Sequence, residues 1–200
     1  GGPEVLKYED VAEPQLRPGG VLIDVAAIAI QGGDTLNRTG GALATKPHIV
    51  GYQAAGIVRE VGEGVTAFTK GQQVVATMGF GSHAEVISVP AAAVWAVPAG
   101  LSLQEAAGIP IEFGTADDCL FEFGRLKAGE SVLIQAGASG VGLAAIQLAK
   151  AAGATVFATA SSDERLERLK EYGLDHGINY TKVDAAKEVL ALTNGAGVNL

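Results

Sequence analysis

The run Gly137-Ala138-Ser139-Gly140-Val141-Gly142 constrains this chain more than any other stretch. Ahead of it stands Val132-Leu133-Ile134-Gln135-Ala136, nearly continuous in apolar residues, as a strand covered on both faces must be. Behind it come an apolar segment of helical length, 141–152, and a run of small and β-branched residues, 155–160. Strand, glycine turn, helix and second strand make a βαβ unit. Glycine lets the main chain approach a pyrophosphate with no Cβ in the way. The free N–H groups and the dipole at the helix start then attract its charge. The G-x-G-x-x-G pattern has Ser139 at its second glycine, and a serine hydroxyl can still donate to phosphate. Gly137, Ala138, Ser139, Gly140, Val141 and Gly142 are the expected dinucleotide cradle.

The end of the second strand selects the dinucleotide. An NAD site places Asp or Glu there, against the ribose 2′-hydroxyl. This chain has Thr159-Ala160-Ser161-Ser162, with Arg165 one helical turn on. A guanidinium can pair with a 2′-phosphate, so NADPH is the expected cofactor. Asp163 and Glu164 lie close by, and Ser161 with Glu164 reads as a helix capping box.

The two halves of the chain differ in texture. Strand-length apolar stretches at 21–25, 54–61, 73–76 and 83–89 are bounded by Gly and Pro, which suggests a small antiparallel barrel. Helices are expected at 103–108 and 115–126. After residue 131 strands and helices alternate: helices at 163–172, closed by Gly173, and 183–193, a strand at 178–180, and the opening of a fourth strand at 198–200. The expected class is α/β, with domains at 1–113 and 114–200. A doubly wound sheet ordinarily has six strands, so this sheet is expected to be incomplete and the chain a fragment of a longer protein.

Composition narrows the partners. Fourteen Lys and Arg against 22 Asp and Glu give a net charge of −8, with no basic cluster, which argues against nucleic acid or an anionic membrane surface. A single cysteine, Cys119, excludes an internal disulfide. No apolar run approaches the roughly 20 residues of a spanning helix. A cytoplasmic protein is expected.

The stretch 136–150 (AGASGVGLAAIQLAK), with its lead-in 128–134, resembles the zinc-free quinone oxidoreductases of the medium-chain dehydrogenase/reductase superfamily. So do Gly51-Tyr52-Gln53-Ala54-Ala55-Gly56-Ile57-Val58, Gly81-Ser82-His83-Ala84-Glu85 with Val89-Pro90-Ala91, and the Thr115-Ala116 pair. The resemblance implies a GroES-like β-barrel catalytic domain, a Rossmann domain and a cofactor in the cleft between them. It implies that Ser161, Arg165 and Tyr180 surround the 2′-phosphate and that Thr115 lies beside the nicotinamide. Read alone, Thr115 would cap a helix start.

Zinc-dependent relatives need Cys, His and Glu ligands. Here the corresponding segment is Gly51-Tyr52-Gln53, a poor donor set, so no metal is expected. His48, His83 and His176 read as ordinary core or surface histidines. Hydride transfer to a quinone or an α,β-unsaturated carbonyl needs no Lewis acid when the cofactor carries the chemistry. The family often has Asn and Tyr lining its pocket where this chain has Gln31 and Leu36. Gln31 and Tyr52 are the candidate catalytic residues, Tyr52 as proton donor. Asp34 and Arg38 read as a loop salt bridge. The implied activity is an NADPH-dependent reductase of a small quinone or enone, homodimeric at full length. A 2-enoyl thioester reductase and a non-catalytic NADPH-binding protein are the alternatives.

Overall fold

A computed structural model describes residues 1–40, 43 and 45–200, arranged as two units, Gly1–Ile111 and Glu112–Leu200. In the first unit an extended N-terminal segment leads into β1 (Gly20–Ile28). Helix α1 (Gly32–Gly40), β2 (Gln53–Val61), β3 (Gln73–Thr77), β4 (Val86–Pro90), β5 (Val94–Ala96) and α2 (Leu103–Ala107) follow. The strands form one antiparallel sheet in the order β4-β1-β2-β3-β5. Register shifts in β1 at Leu22/Ile23 and Val25/Ala27 curl it. The result is a half-barrel with β4 and β5 as edges.

Alternation along the strands builds two apolar layers. Val21, Ile23, Ala54, Val58, Val74 and Ile87 pack on one face. Ala55 and Val75 face the other way and meet Ala106 and Ala107 of α2. Ser102 and Glu105 start α2 as a reciprocal capping box. Gly56 is dictated by packing: a Cβ there would lie 2.0 Å from the Asp24 carbonyl oxygen of β1.

The second unit opens on α3 (Pro110–Asp117), whose first two residues belong to the first unit. A π-helical turn, Asp118–Phe123, extends it. Then come β6 (Ser131–Ile134), α4 (Gly140–Ala151), β7 (Thr155–Ala160), α5 (Asp163–Leu169), β8 (His176–Asn179) and α6 (Ala185–Leu192). The three strands are parallel, in the order β6-β7-β8. Leu120, Ala144, Ile146, Ala149, Val156, Ala158, Leu166 and Leu169 form the core on one face, under α4 and α5. Phe157, Ile178 and Val189 of α6 pack on the other. Residues 198–200 are not a regular strand. Even so, Asn199 N–H donates to the Ser131 carbonyl (2.9 Å), and Leu133 N–H donates to that of Leu200 (2.9 Å). This lays the last two residues along the free edge of β6.

Three sequence expectations need correction. The helix expected at 115–126 begins at Pro110, because proline suits the first helical position. Thr115 is therefore an exposed mid-helix residue and not a cap. The cap of α5 is Ser162, whose Oγ accepts from Arg165 N–H (3.4 Å), so Ser161 and Glu164 form no capping box. Helix α1 and strand β5 were not anticipated.

Candidate functional site

The turn after β6 is shaped by backbone. Ala136 takes φ +51°, a left-handed conformation. Its N–H donates to Thr159 Oγ1 (3.1 Å), and Gly137 N–H donates to the Thr159 carbonyl (2.8 Å), tying the turn to the end of β7. Ser139 caps α4: its Oγ accepts from Gly142 N–H (3.1 Å) and its carbonyl from Leu143 N–H (2.8 Å). The N–H groups of Gly140 and Val141 open the helix with no acceptor among the described hydrogen bonds. A Cβ on Gly142 would sit 2.4 Å from the Ala136 carbonyl oxygen, and one on Gly137 2.7 Å from Ala158 Cβ. Those glycines hold the helix start against the strand end, with main-chain donors facing outward. A dinucleotide pyrophosphate fits this cradle.

Ser161 and Arg165 follow the end of β7, and Tyr180 follows the end of β8. Arg165 Nη1 donates to Ser161 Oγ (3.4 Å), and Tyr180 N–H donates to the Ala160 carbonyl (3.2 Å). The Tyr180 ring is exposed. Asp163 does not oppose this patch with a free charge. It accepts from Asn179 Nδ2 (2.6 Å) and pairs with Lys182, and these partners hold its carboxyl below the usual range. One acidic neighbour was missed by the sequence reading: the Glu112 side chain lies beside Gly140, with Cγ 3.1 Å from where a Cβ would stand.

In the sheet unit, Gln31 precedes α1 and Tyr52 precedes β2. Asp34, buried, accepts the Gln31 N–H (2.7 Å), and Gln31 accepts the Asp34 N–H (3.1 Å). This half of a capping box is the signal that could have revealed α1. Asp34 does not pair with Arg38 as expected; its Oδ2 faces His83 Nε2 at 3.8 Å. Tyr52 packs its hydroxyl against Gly33, where a Cβ would come within 2.7 Å, and that oxygen accepts from Asn37 Nδ2 (3.0 Å). Asn37, Arg38, His48 and His83 line a groove of about 870 Å³ within this unit. Leu36 is exposed.

The Oε1 of fully buried Gln53 accepts from Ile111 N–H (3.0 Å), and the Tyr52 oxygen accepts from Asn37. Among the described residues no three His, Cys, Asp or Glu side chains converge. This donor set does not fit a zinc ion.

A half-barrel joined to a βαβ unit with a glycine cradle is the plan of a two-unit, dinucleotide-type dehydrogenase. An alcohol dehydrogenase GroES-like domain matches residues 17–99, and a zinc-binding dehydrogenase domain matches residues 140–200. Escherichia coli quinone oxidoreductase, solved in complex with NADPH, is 31% identical with a TM-score of 0.91, over 99% of this chain and 61% of that one. The CurK enoyl reductase structure is 32% identical with a TM-score of 0.91, over 98% and 61%. A 2-haloacrylate reductase of Burkholderia sp. is 35% identical over 207 residues, 100% of this chain and 62% of that protein. The chain belongs to the medium-chain dehydrogenase/reductase superfamily, in the branch of the quinone oxidoreductases. It spans about three fifths of the length of these relatives.

Proposed function

We propose that the chain is the catalytic and cofactor-binding part of an NADPH-dependent, zinc-independent reductase of α,β-unsaturated carbonyls or quinones. The observation that carries this reading is the 137–142 cradle combined with Ser161, Arg165 and Tyr180 at the neighbouring strand ends. Main-chain donors and the start of α4 suit a pyrophosphate. The Arg165 guanidinium at the end of β7, with Asp163 engaged by Lys182 and Asn179, suits a 2′-phosphate. The relatives solved with NADPH or titled as reductases support the same reading.

When bound, NADPH supplies the hydride. The chain's own residues handle the proton. Because Asn37 donates to the Tyr52 oxygen, the Tyr52 O–H is left to donate elsewhere. The same Asn37 bond stabilises the phenolate once that proton has left. Gln31 has its main chain fixed by buried Asp34, which holds it in one place at the head of α1. Gly142 and Gly137 keep the cradle tight.

The test is a fluorescence titration with NADPH and NADH, followed by NADPH oxidation assays with a small quinone, an enone and an enoyl thioester. NADPH should bind at least tenfold tighter than NADH. Equal affinities would remove the 2′-phosphate reading. Tight NADPH binding without turnover of any acceptor would remove the reductase reading. Preference for the thioester would favour the enoyl reductase alternative.

A further inference from the structure

The groove in the sheet unit has one wall unlike the other. Its inner wall carries Arg38, His48 and His83, all partly buried. Its outer wall carries Lys7 and the exposed acids Glu9, Asp10, Glu13 and Glu85. Glu13 is already tied to Arg59 (2.9 Å).

Arg38 is unusual among the partly buried cations. Arg59 is paired with both Asp24 and Glu13. Arg38 has no ion pair among the described residues, and its Nε is buried without a hydrogen-bond partner. Both ring nitrogens of His48 are in the same state. His83 Nε2 faces Asp34 Oδ2 at 3.8 Å without a hydrogen bond, and the other Asp34 oxygen is unpartnered too. An unanswered guanidinium on a recessed wall calls for an anion, since burying an uncompensated charge is costly.

We propose that the groove binds the carboxylate of a small α,β-unsaturated acid, with Arg38 as its partner. This rests on the reductase reading and names its substrate class. Both candidate catalytic residues lie one step behind the groove. Asn37, on its wall, donates to Tyr52, and His83, also on its wall, leads through Asp34 to Gln31. The chemistry asks for such a cation. An ionised acid is a poor hydride acceptor, because addition at C3 would build a second negative charge on the carboxyl group. An Arg38 ion pair offsets that charge. The balance is simple: the C2=C3 π bond breaks, C3 takes the hydride, C2 takes one proton, NADPH becomes NADP+ and the carboxylate is unchanged. A groove that sets Glu9, Asp10, Glu13 and Glu85 against only Arg38 and Lys7 favours a small monoanion over a polyphosphate tail.

The experiment is an NMR titration of 15N-labelled chain with 2-chloroacrylate and, separately, its neutral analogue 2-chloroacrylamide, with NADP+ present so that no turnover occurs. The acid should shift the Arg38 Nε–H and His48 ring signals and bind at least tenfold tighter than the amide. Arg38→Gln should abolish that preference, and Arg38→Lys should keep part of it. Melting curves establish that each variant is folded, and Arg38→Lys decides the matter if Arg38→Gln is not. Equal binding of acid and amide, or an unchanged preference in both variants, overturns the proposal, as does no saturation by either. NADP+ shifts at Gly140 and Val141 in the same spectra report the cofactor site independently, so the failure of one reading is distinct from the failure of the other.

Discussion

Thr115 apart, the candidate cofactor site lies within one unbroken stretch, from Gly137 to Tyr180, and its central part is main chain. The candidate substrate site in the sheet unit is assembled from separate segments: Gln31 to Arg38 around α1, His48 and Tyr52 before β2, and His83 before β4. Its working groups are side chains. In the second unit the turn works because of where backbone atoms lie, so few side-chain identities are acceptable. In the first, the fold supplies positions and the side chains supply the chemistry. Relatives can share the turn and differ in what they reduce.

Substitutions can break this comparison. The largest effect is expected for Gly142→Ala, whose new methyl would overlap the Ala136 carbonyl. Overpacking there should cost about 3 kcal/mol, roughly a hundredfold in NADPH affinity by fluorescence titration. Tyr52→Phe should do the reverse. NADPH affinity stays unchanged while kcat falls about a hundredfold, the range of a lost general acid. A shift in NADPH affinity with Tyr52→Phe would end the division of labour. Arg165→Ala should weaken NADPH about tenfold and leave NADH alone, the size of one charge-assisted contact. The smallest effect concerns the frame. Burial works against ionised Asp175, but Lys150 (2.6 Å) and the Val156 N–H (2.8 Å) outweigh it and hold its carboxyl below the usual range. Its contribution is therefore present above the unfolded-state value near pH 4 and lost as pH falls through the lower folded value. Asp175→Asn should cost roughly 1 kcal/mol at pH 7. The gap in melting temperature should close as the pH falls below about 4. A gap that persists at low pH would assign the loss to packing.

Much of the fold was legible in the sequence because its signals are local. The βαβ unit announced itself by a buried strand, a glycine turn and a helix in succession, and Gly173 closes the helical segment that begins with α5, with φ +106° as a left-handed glycine does. What stayed hidden was non-local. Helix α1 begins Gly32-Gly33, poor helix formers, and is held by the Asp34 cap and by Asn37 reaching Tyr52. Strand β5 is three residues long and exists by pairing with β3. The meeting of Asp34 with His83, rather than with Arg38 four residues on, could not be read from spacing. Nor could the approach of Glu112 to Gly140. The shift of the α5 cap by one residue followed from two adjacent serines with equal capping chemistry.

The hydrogen bonds from 199–200 to β6 have a consequence for the sheet's topology. They place chain on both sides of β6: β7 on one, the closing residues on the other. The connection leaving β6 runs through α4 over one face, and the connection returning to it runs through α6 over the opposite face. Paths that part in this way leave a crevice at the carboxyl end of the strand between them. The opening into which Gly140 and Val141 direct their N–H groups is thus made by the order of the strands, before any side chain is chosen.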